Sequence, residues 1–150
     1  MKTSKTIRFI VSALFILVLG TSLCSASVEF TDSSGNSITL PAVADRVVCL
    51  NSDCAETMVV LGVGDKVVGV ADSTTKDKVL ISHLPKAVSI GEWQTPSIER
   101  VLALKPDAVI TYSSSKPKNA DQFVQAGINL IYLDCYKIDT LEHDVRALGT

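Results

Sequence analysis

The 150-residue chain is predicted to fold as an α/β domain, a parallel sheet flanked by helices with a β-hairpin at its front. Three observations predict this. Short apolar runs suited to buried strands alternate with amphipathic stretches, in units of about 20 to 40 residues. Helix start signals and Gly or Pro stops stand at the ends of those stretches. No repeat or low-complexity linker interrupts the pattern, and the length suits one compact domain.

Residues 1–27 read as an export leader. Lys2, Lys5 and Arg8 form a positive n-region, Phe9 to Gly20 is an apolar h-region, and Thr21 to Ser27 supplies small residues for cleavage near Ala26 or Ser27. The apolar run is shorter than the ~20 residues of an ordinary membrane span, with a retained N-terminal anchor as the alternative. A lipid anchor on Cys24 would want a small residue before it, where Leu23 stands. The location implied is exported, periplasmic or extracellular.

Residues 28–45 form the hairpin and a linker, with two alternating strands joined by Ser33, Ser34, Gly35 and Asn36. The main domain runs over 46–150. Arg46 to Asn51 is a short apolar strand. The helix after it carries Asp53 and Glu56 spaced as a capping box, Met58 and Leu61 on one face, and Gly62 as a stop. Lys66 to Val70 is the next strand. Ala71 to Ser89 is weakly patterned, with a polar loop and a short helix before Pro85. Pro96 suits the first position of a helix that turns Ile98, Val101 and Leu102 to one side and stops before Pro106. Asp107 to Thr111 is a strand, Pro117 to Gly127 a helix, and Ile128 to Asp134 a strand. The last helix opens on Asp139 and Glu142, again at box spacing, with Leu141, Val145 and Leu148 on one face. The order is Rossmann-like.

The leader holds three of the 14 Lys and Arg and none of the 16 Asp and Glu, leaving 11 against 16, a formal charge of −5. With no basic patch, that balance argues against nucleic acid as a partner.

Parallel α/β sheets bind ligands outside the carboxyl ends of their strands. The loops there are polar: "NSDC" from Asn51, "ADSTT" from Ala71, "TYSSS" from Thr111 and "DCYK" from Asp134. The loop "GEWQT" precedes a helix and belongs to the same rim, so Trp93, the chain's one Trp, can offer a ligand an apolar plane beside helix N-termini rich in N–H groups. The candidate ligand contacts are Trp93, Gln94, Asn51, Ser52, Tyr112 and Tyr136.

The cysteines support a second reading, an exported thiol-dependent enzyme. Cys54 falls near a helix N-terminus, where a thiol pKa drops, although no base lies near it in sequence. Cys49 reads as a small buried hydrophobe, and a Cys54–Cys135 bridge would join two loops of one rim. No metal site or resident cofactor is expected: His83 and His143 stand alone, and the cysteine spacing is not that of a zinc site. Gly62 to Gly69 is not a phosphate loop, because its glycines follow a helix and no Gly-Lys-Ser/Thr occurs.

Three stretches carry a family resemblance. "RVVCLNSDCAETMVVLGVGDKVVGV", "IGEWQTPSIERVLALKPDAVI" and "AGINLIYLDCYKIDTLEHDVRALG" cover nearly all of Arg46 to Gly149 in order. They resemble the N-terminal lobe of the substrate-binding proteins serving ABC importers of cobalamin, iron–siderophores and haem. The resemblance implies capture without catalysis, with an ABC permease and ATPase complex as partner and cobalamin, haem or an iron–siderophore as cargo. It implies that Trp93 contacts the ligand and that Glu99 is the glutamate docking on permease arginines. Two departures stand out. Family members continue into a second lobe, whereas this chain stops at Thr150, which implies a fragment, a truncated product or a lobe needing a partner, with a truncated lobe without independent activity as a further alternative. The loop after Val70 also lacks the tyrosines of cobalamin binders.

Overall fold

The computed structural model describes residues 27–149. The expected h-region, cleavage site near Ala26 and Cys24 lie outside the described residues. The hairpin is present, with β1 (Val28–Thr31) antiparallel to β2 (Ser37–Leu40) and Val28 opposite Leu40. Asp32 closes its loop. One carboxylate oxygen accepts from the backbone N–H groups of Ser34 and Asn36, each at 2.9 Å, and the other from Asn36 Nδ2 at 3.0 Å.

Next come β3 (Val47–Cys49), α1 (Ser52–Val60), β4 (Val67–Val70), α2 (Lys78–Ser82) and β5 (Val88–Ser89). A small antiparallel pair follows, β6 (Gly91–Glu92) and β7 (Thr95–Pro96). The rest is α3 (Ile98–Ala103), β8 (Ala108–Thr111), α4 (Ala120–Gln125), β9 (Leu130–Tyr132) and α5 (Ile138–Leu148). Five strands pair in parallel in the order β5-β4-β3-β8-β9. The chain builds outward from β3 through β4 to β5, then crosses to β8 on the other side of β3. The switch point therefore lies between β3 and β8, where open α/β sheets bind ligands.

Period-two alternation along β3, β8 and β9 sends side chains into two cores, and a register irregularity in the β3–β4 pair leaves Val67 and Val70 on the same face. Val47, Cys49, Val67, Val70, Ile110 and Ile131 pack with Ala55 and Met58 of α1, Leu80 of α2, and the hairpin. Val48, Leu50, Val68 and Val109 face the other way, against Val101 of α3 and Phe123 of α4. With both faces covered, the strands read as continuous apolar runs. Gly69 lets α3 meet the sheet closely: a Cβ there would stand 2.8 Å from Leu104 Cδ1 and 3.0 Å from Val48 Cγ2, so those side chains would have to give way.

Every expected strand and helix is present, and most strands are shorter than expected. The unforeseen β5 is two residues long, too short to show a period. The helix starts differ more. Asn51, not Asp53, caps α1, its Oδ1 accepting the Cys54 N–H at 2.9 Å, so Asp53 lies inside the first turn and no box with Glu56 forms. Ser97 caps α3 by accepting the Arg100 N–H at 3.3 Å, and Pro96 belongs to β7. Helix α5 starts at Ile138 without a side-chain cap, and Glu142 pairs with Arg146 at 3.0 Å instead of reaching back. The inward faces also shift. Leu102 is 44 % and Leu141 38 % exposed, while the buried position on α5 is Asp144, at 0 %. Gly62 and Gly127 do end their helices, with φ of +78° and +75° that a side chain would oppose.

Candidate functional site

The rim gathers the loops after β3, β4, β8 and β9, with the β6–β7 turn beside them. Two hydrogen bonds to its carbonyls hold that turn: Gln94 O accepts the Lys118 backbone N–H at 2.7 Å, and the Asn119 side chain donates from Nδ2 to Pro96 O at 2.8 Å. Trp93, at its tip, is thereby set half-buried against Tyr112, centroids 6.0 Å apart and planes at 89°. Tyr112 in turn meets Tyr136 at 5.6 Å and 78°. Both are edge-to-face contacts, a favoured geometry for aromatic pairs.

Tyr112 bridges the switch point. Its hydroxyl, from the loop after β8, donates to Asp53 Oδ2 of α1 at 2.7 Å. Burial first, then the Asp53 carboxylate, holds the phenol well above its ordinary pKa, against a weaker opposing pull from Ser52. The phenol therefore stays protonated and keeps donating. Asp53, Tyr112, Ser114 and Tyr136 line an open recess of about 320 Å³.

The β9 end is organised differently. Asp134 Oδ2 accepts from Ser113 Oγ at 2.5 Å and Lys137 Nζ at 2.8 Å, and Oδ1 from the Ser113 N–H at 2.8 Å. Asp144, on α5, accepts from Ser33 Oγ at 2.6 Å and from the N–H groups of Asp134 and Cys135 at 3.2 and 3.0 Å. Burial raises both carboxyl pKa values, but hydrogen bonds outweigh it: chiefly Lys137 and Ser113 for Asp134, and Ser33 and the Cys135 N–H for Asp144, so both lie below the usual range. This frame holds Cys135 at φ +57° and sends Tyr136 out toward Tyr112.

Of the six candidate contacts, Trp93, Tyr112 and Tyr136 form one row, and Ser52 lies beside Tyr112. Gln94 is exposed at the same turn. Asn51 does not reach the rim surface. It is 2 % exposed, with Oδ1 on the Cys54 N–H and Nδ2 donating to Leu133 O at 3.0 Å. Glu99 stands exposed in the first turn of α3. Sequence reasoning missed Asp53, which its spacing presented as a cap, and Ser114. It also missed the Asp134 and Asp144 frame, for which no local signal exists.

The thiol reading loses its chemical basis. Cys54 is fully buried, its Sγ 3.0 Å from Cys49 Sγ, and hydrogen bonds with Cys135 and Cys49 together with burial push its thiol pKa well up. Desolvation and neutral sulfur partners override the helix terminus, so the nucleophilic thiolate is disfavoured. The Cys54–Cys135 bridge is not formed, and Cys49, Cys54 and Cys135 are free thiols. Two further recesses hold none of the aromatic row: an apolar one of about 260 Å³ beneath the hairpin, and one of about 590 Å³ between β2 and β9.

Known proteins fit this frame. A family model described as periplasmic binding protein matches residues 47–150. The chain belongs to the periplasmic binding protein family. Among curated relatives, the vitamin B12-binding protein of Yersinia pestis (strain Pestoides F) is 33% identical over 114 residues, covering 75% of this chain and 39% of the relative. The chain thus spans about two fifths of the length of the curated relatives it matches. A periplasmic heme-binding protein from Pseudomonas aeruginosa superposes with a TM-score of 0.59 at 28% identity, over 71% of this chain and 37% of that one. The periplasmic vitamin B12-binding protein of Vibrio cholerae gives 0.58 at 24% identity over 71% and 41%, which shows the shared fold alone. These structural neighbours are two-lobed, and the partial coverage fits a periplasmic binding protein's N-terminal lobe.

Proposed function

We propose that this periplasmic binding protein is the capture component of an ABC importer, taking up cobalamin or an iron complex such as haem or a ferric siderophore. The observation that carries the reading is the Trp93–Tyr112–Tyr136 row standing over the switch point. Such a row offers apolar edges and faces to a flat macrocycle, and polar atoms beside it fix orientation. The recess lining carries one carboxylate, Asp53, three hydroxyl-bearing side chains and no cation. The names of the Yersinia and Pseudomonas relatives support this ligand class. Residues 28–45 would serve as a hairpin brace and 46–150 as the first lobe, with a second lobe supplying the opposite wall.

Exposed Glu99 would meet permease cations at the membrane. The family implies an exported location, and among the described residues no helix is long and apolar enough to cross a membrane.

The test is Trp fluorescence of the folded chain titrated with cobalamin, haem and a ferric siderophore, corrected for absorbance and compared with Trp93→Phe. Saturable quenching by one of the three ligands is expected after absorbance correction, with Trp93→Phe supplying the background emission that is not tryptophan's. A folded chain that gives no saturable change with any of the three would sink the ligand assignment.

A further inference from the structure

Beneath the rim lies a cluster the binding reading does not use. Cys49 ends β3, Cys54 occupies the first turn of α1 and Cys135 follows β9. All three are buried, at 0 %, 0 % and 7 % exposure. The sequence allows a pairing of Cys54 with Cys135, across the rim, without choosing among the three cysteines. The structure sets Cys54 within hydrogen-bond reach of both other thiols, and its closest sulfur contact is with Cys49 at 3.0 Å, on either side of the Leu50–Asp53 turn. Closing that gap to a bond of ~2.05 Å needs a shift of about 1 Å, within the reach of side-chain rotation.

We propose that Cys49 and Cys54 form a disulfide when the chain folds outside the cytoplasm, with Cys135 left as the unpaired thiol. The proposal rests on the exported location that the family implies. Disulfides form and persist in such compartments. The chemistry is exchange with a disulfide oxidant such as oxidised glutathione. One thiolate attacks a glutathione sulfur, forming a mixed disulfide and releasing one glutathione thiol. The second cysteine sulfur then displaces the other glutathione. Two protons and two electrons pass to the oxidant, and one S–S bond breaks as one forms. The bridge must form before packing completes, because folding encloses both sulfurs.

Its position gives it a role. The bridge would staple the end of β3 to the start of α1 across the turn that carries Ser52 and Asp53, and Asp53 holds the Tyr112 hydroxyl. The central ring of the aromatic row would then stand on a covalently closed turn.

The test starts from the full chain, denatured and fully reduced, refolded in a glutathione redox buffer, then acid-quenched, alkylated and digested with trypsin. Cleavage after Arg46 and Lys66 places Cys49 and Cys54 in one peptide, 47–66, while Cys135 falls in 119–137. The expected result is a 47–66 peptide two hydrogens lighter than its dithiol form and unalkylated, with 119–137 alkylated. Reduction should lower Tm by roughly 5–15 °C, and Cys135→Ala should keep that shift. A 47–66 peptide alkylated at both cysteines, or one linked to 119–137, overturns the proposal. The same map on chain recovered from producing cells separates the two readings: a bridge on refolding but not in cells counts against the exported location and leaves the pairing standing.

Discussion

The two halves of the rim use the same chemical groups in opposite ways. At the β9 end Asp134 and Asp144 are 1 % and 0 % exposed, and each accepts hydrogen bonds from several side chains and backbone N–H groups. At the switch point Asp53 and Tyr112 share one hydrogen bond and border an open recess. A carboxylate enclosed and saturated by its own chain belongs to the frame. One with a single side-chain partner beside open space retains acceptor capacity for something else.

That contrast can be broken by mutation. The largest effect belongs to the frame: Asp144→Ala strands the Ser33 hydroxyl and two backbone N–H groups, and should cost about 3–5 kcal/mol by chemical denaturation. Acid should act on the same end. The pKa values of Asp134 and Asp144 are depressed in the folded state, so their stabilisation is complete above the unfolded value near ~3.9 and is lost as pH falls through the folded values. Denaturation midpoints should therefore drop below about pH 4, and an Asp144→Asn variant should lose part of that dependence. Tyr112→Phe comes next, at about 1 kcal/mol of stability for one hydrogen bond. A loss as large as that of Asp144→Ala would mean the switch point is frame after all. Trp93→Ala should cost under about 1 kcal/mol in stability and at least ~10-fold in ligand affinity by fluorescence-independent calorimetry. Glu99→Gln should move stability by less than about 0.5 kcal/mol, while reducing capture by a permease reconstituted in vesicles.

The fold was legible because its determinants are local and repeated. Val47 to Cys49, Val67 to Val70 and Ala108 to Thr111 are short apolar runs bounded by polar loops, and Gly62 and Gly127 end their helices as such glycines do. The clustering of Trp93, Tyr112 and Tyr136 was legible as well, since they fall in loops that a parallel sheet places on one rim. The frame was not. Asp144 meets Ser33, 111 residues away, and nothing near either residue announces it. An amphipathic helix signal also cannot show that a buried position holds a carboxylate, because such a residue counts as polar and is assigned outward. Asn51 misled in the opposite direction: a polar side chain at a strand end looks like a ligand contact, yet it is enclosed as a helix cap.

The hairpin that the frame anchors has a consequence for the molecule's neighbours. Strand β9 is an outer strand of the sheet, and such a border offers unpaired N–H and C=O groups to any other extended chain. At Tyr132 both are already taken, the carbonyl by the Ser33 N–H at 2.7 Å and the N–H by Asp32 Oδ2 at 3.3 Å. The opposite border, β5, is two residues long and offers little template. The hairpin loop before the first core strand thus covers part of that border, at Tyr132. Removing it would leave the N–H and C=O of Tyr132 open to pairing by another extended chain.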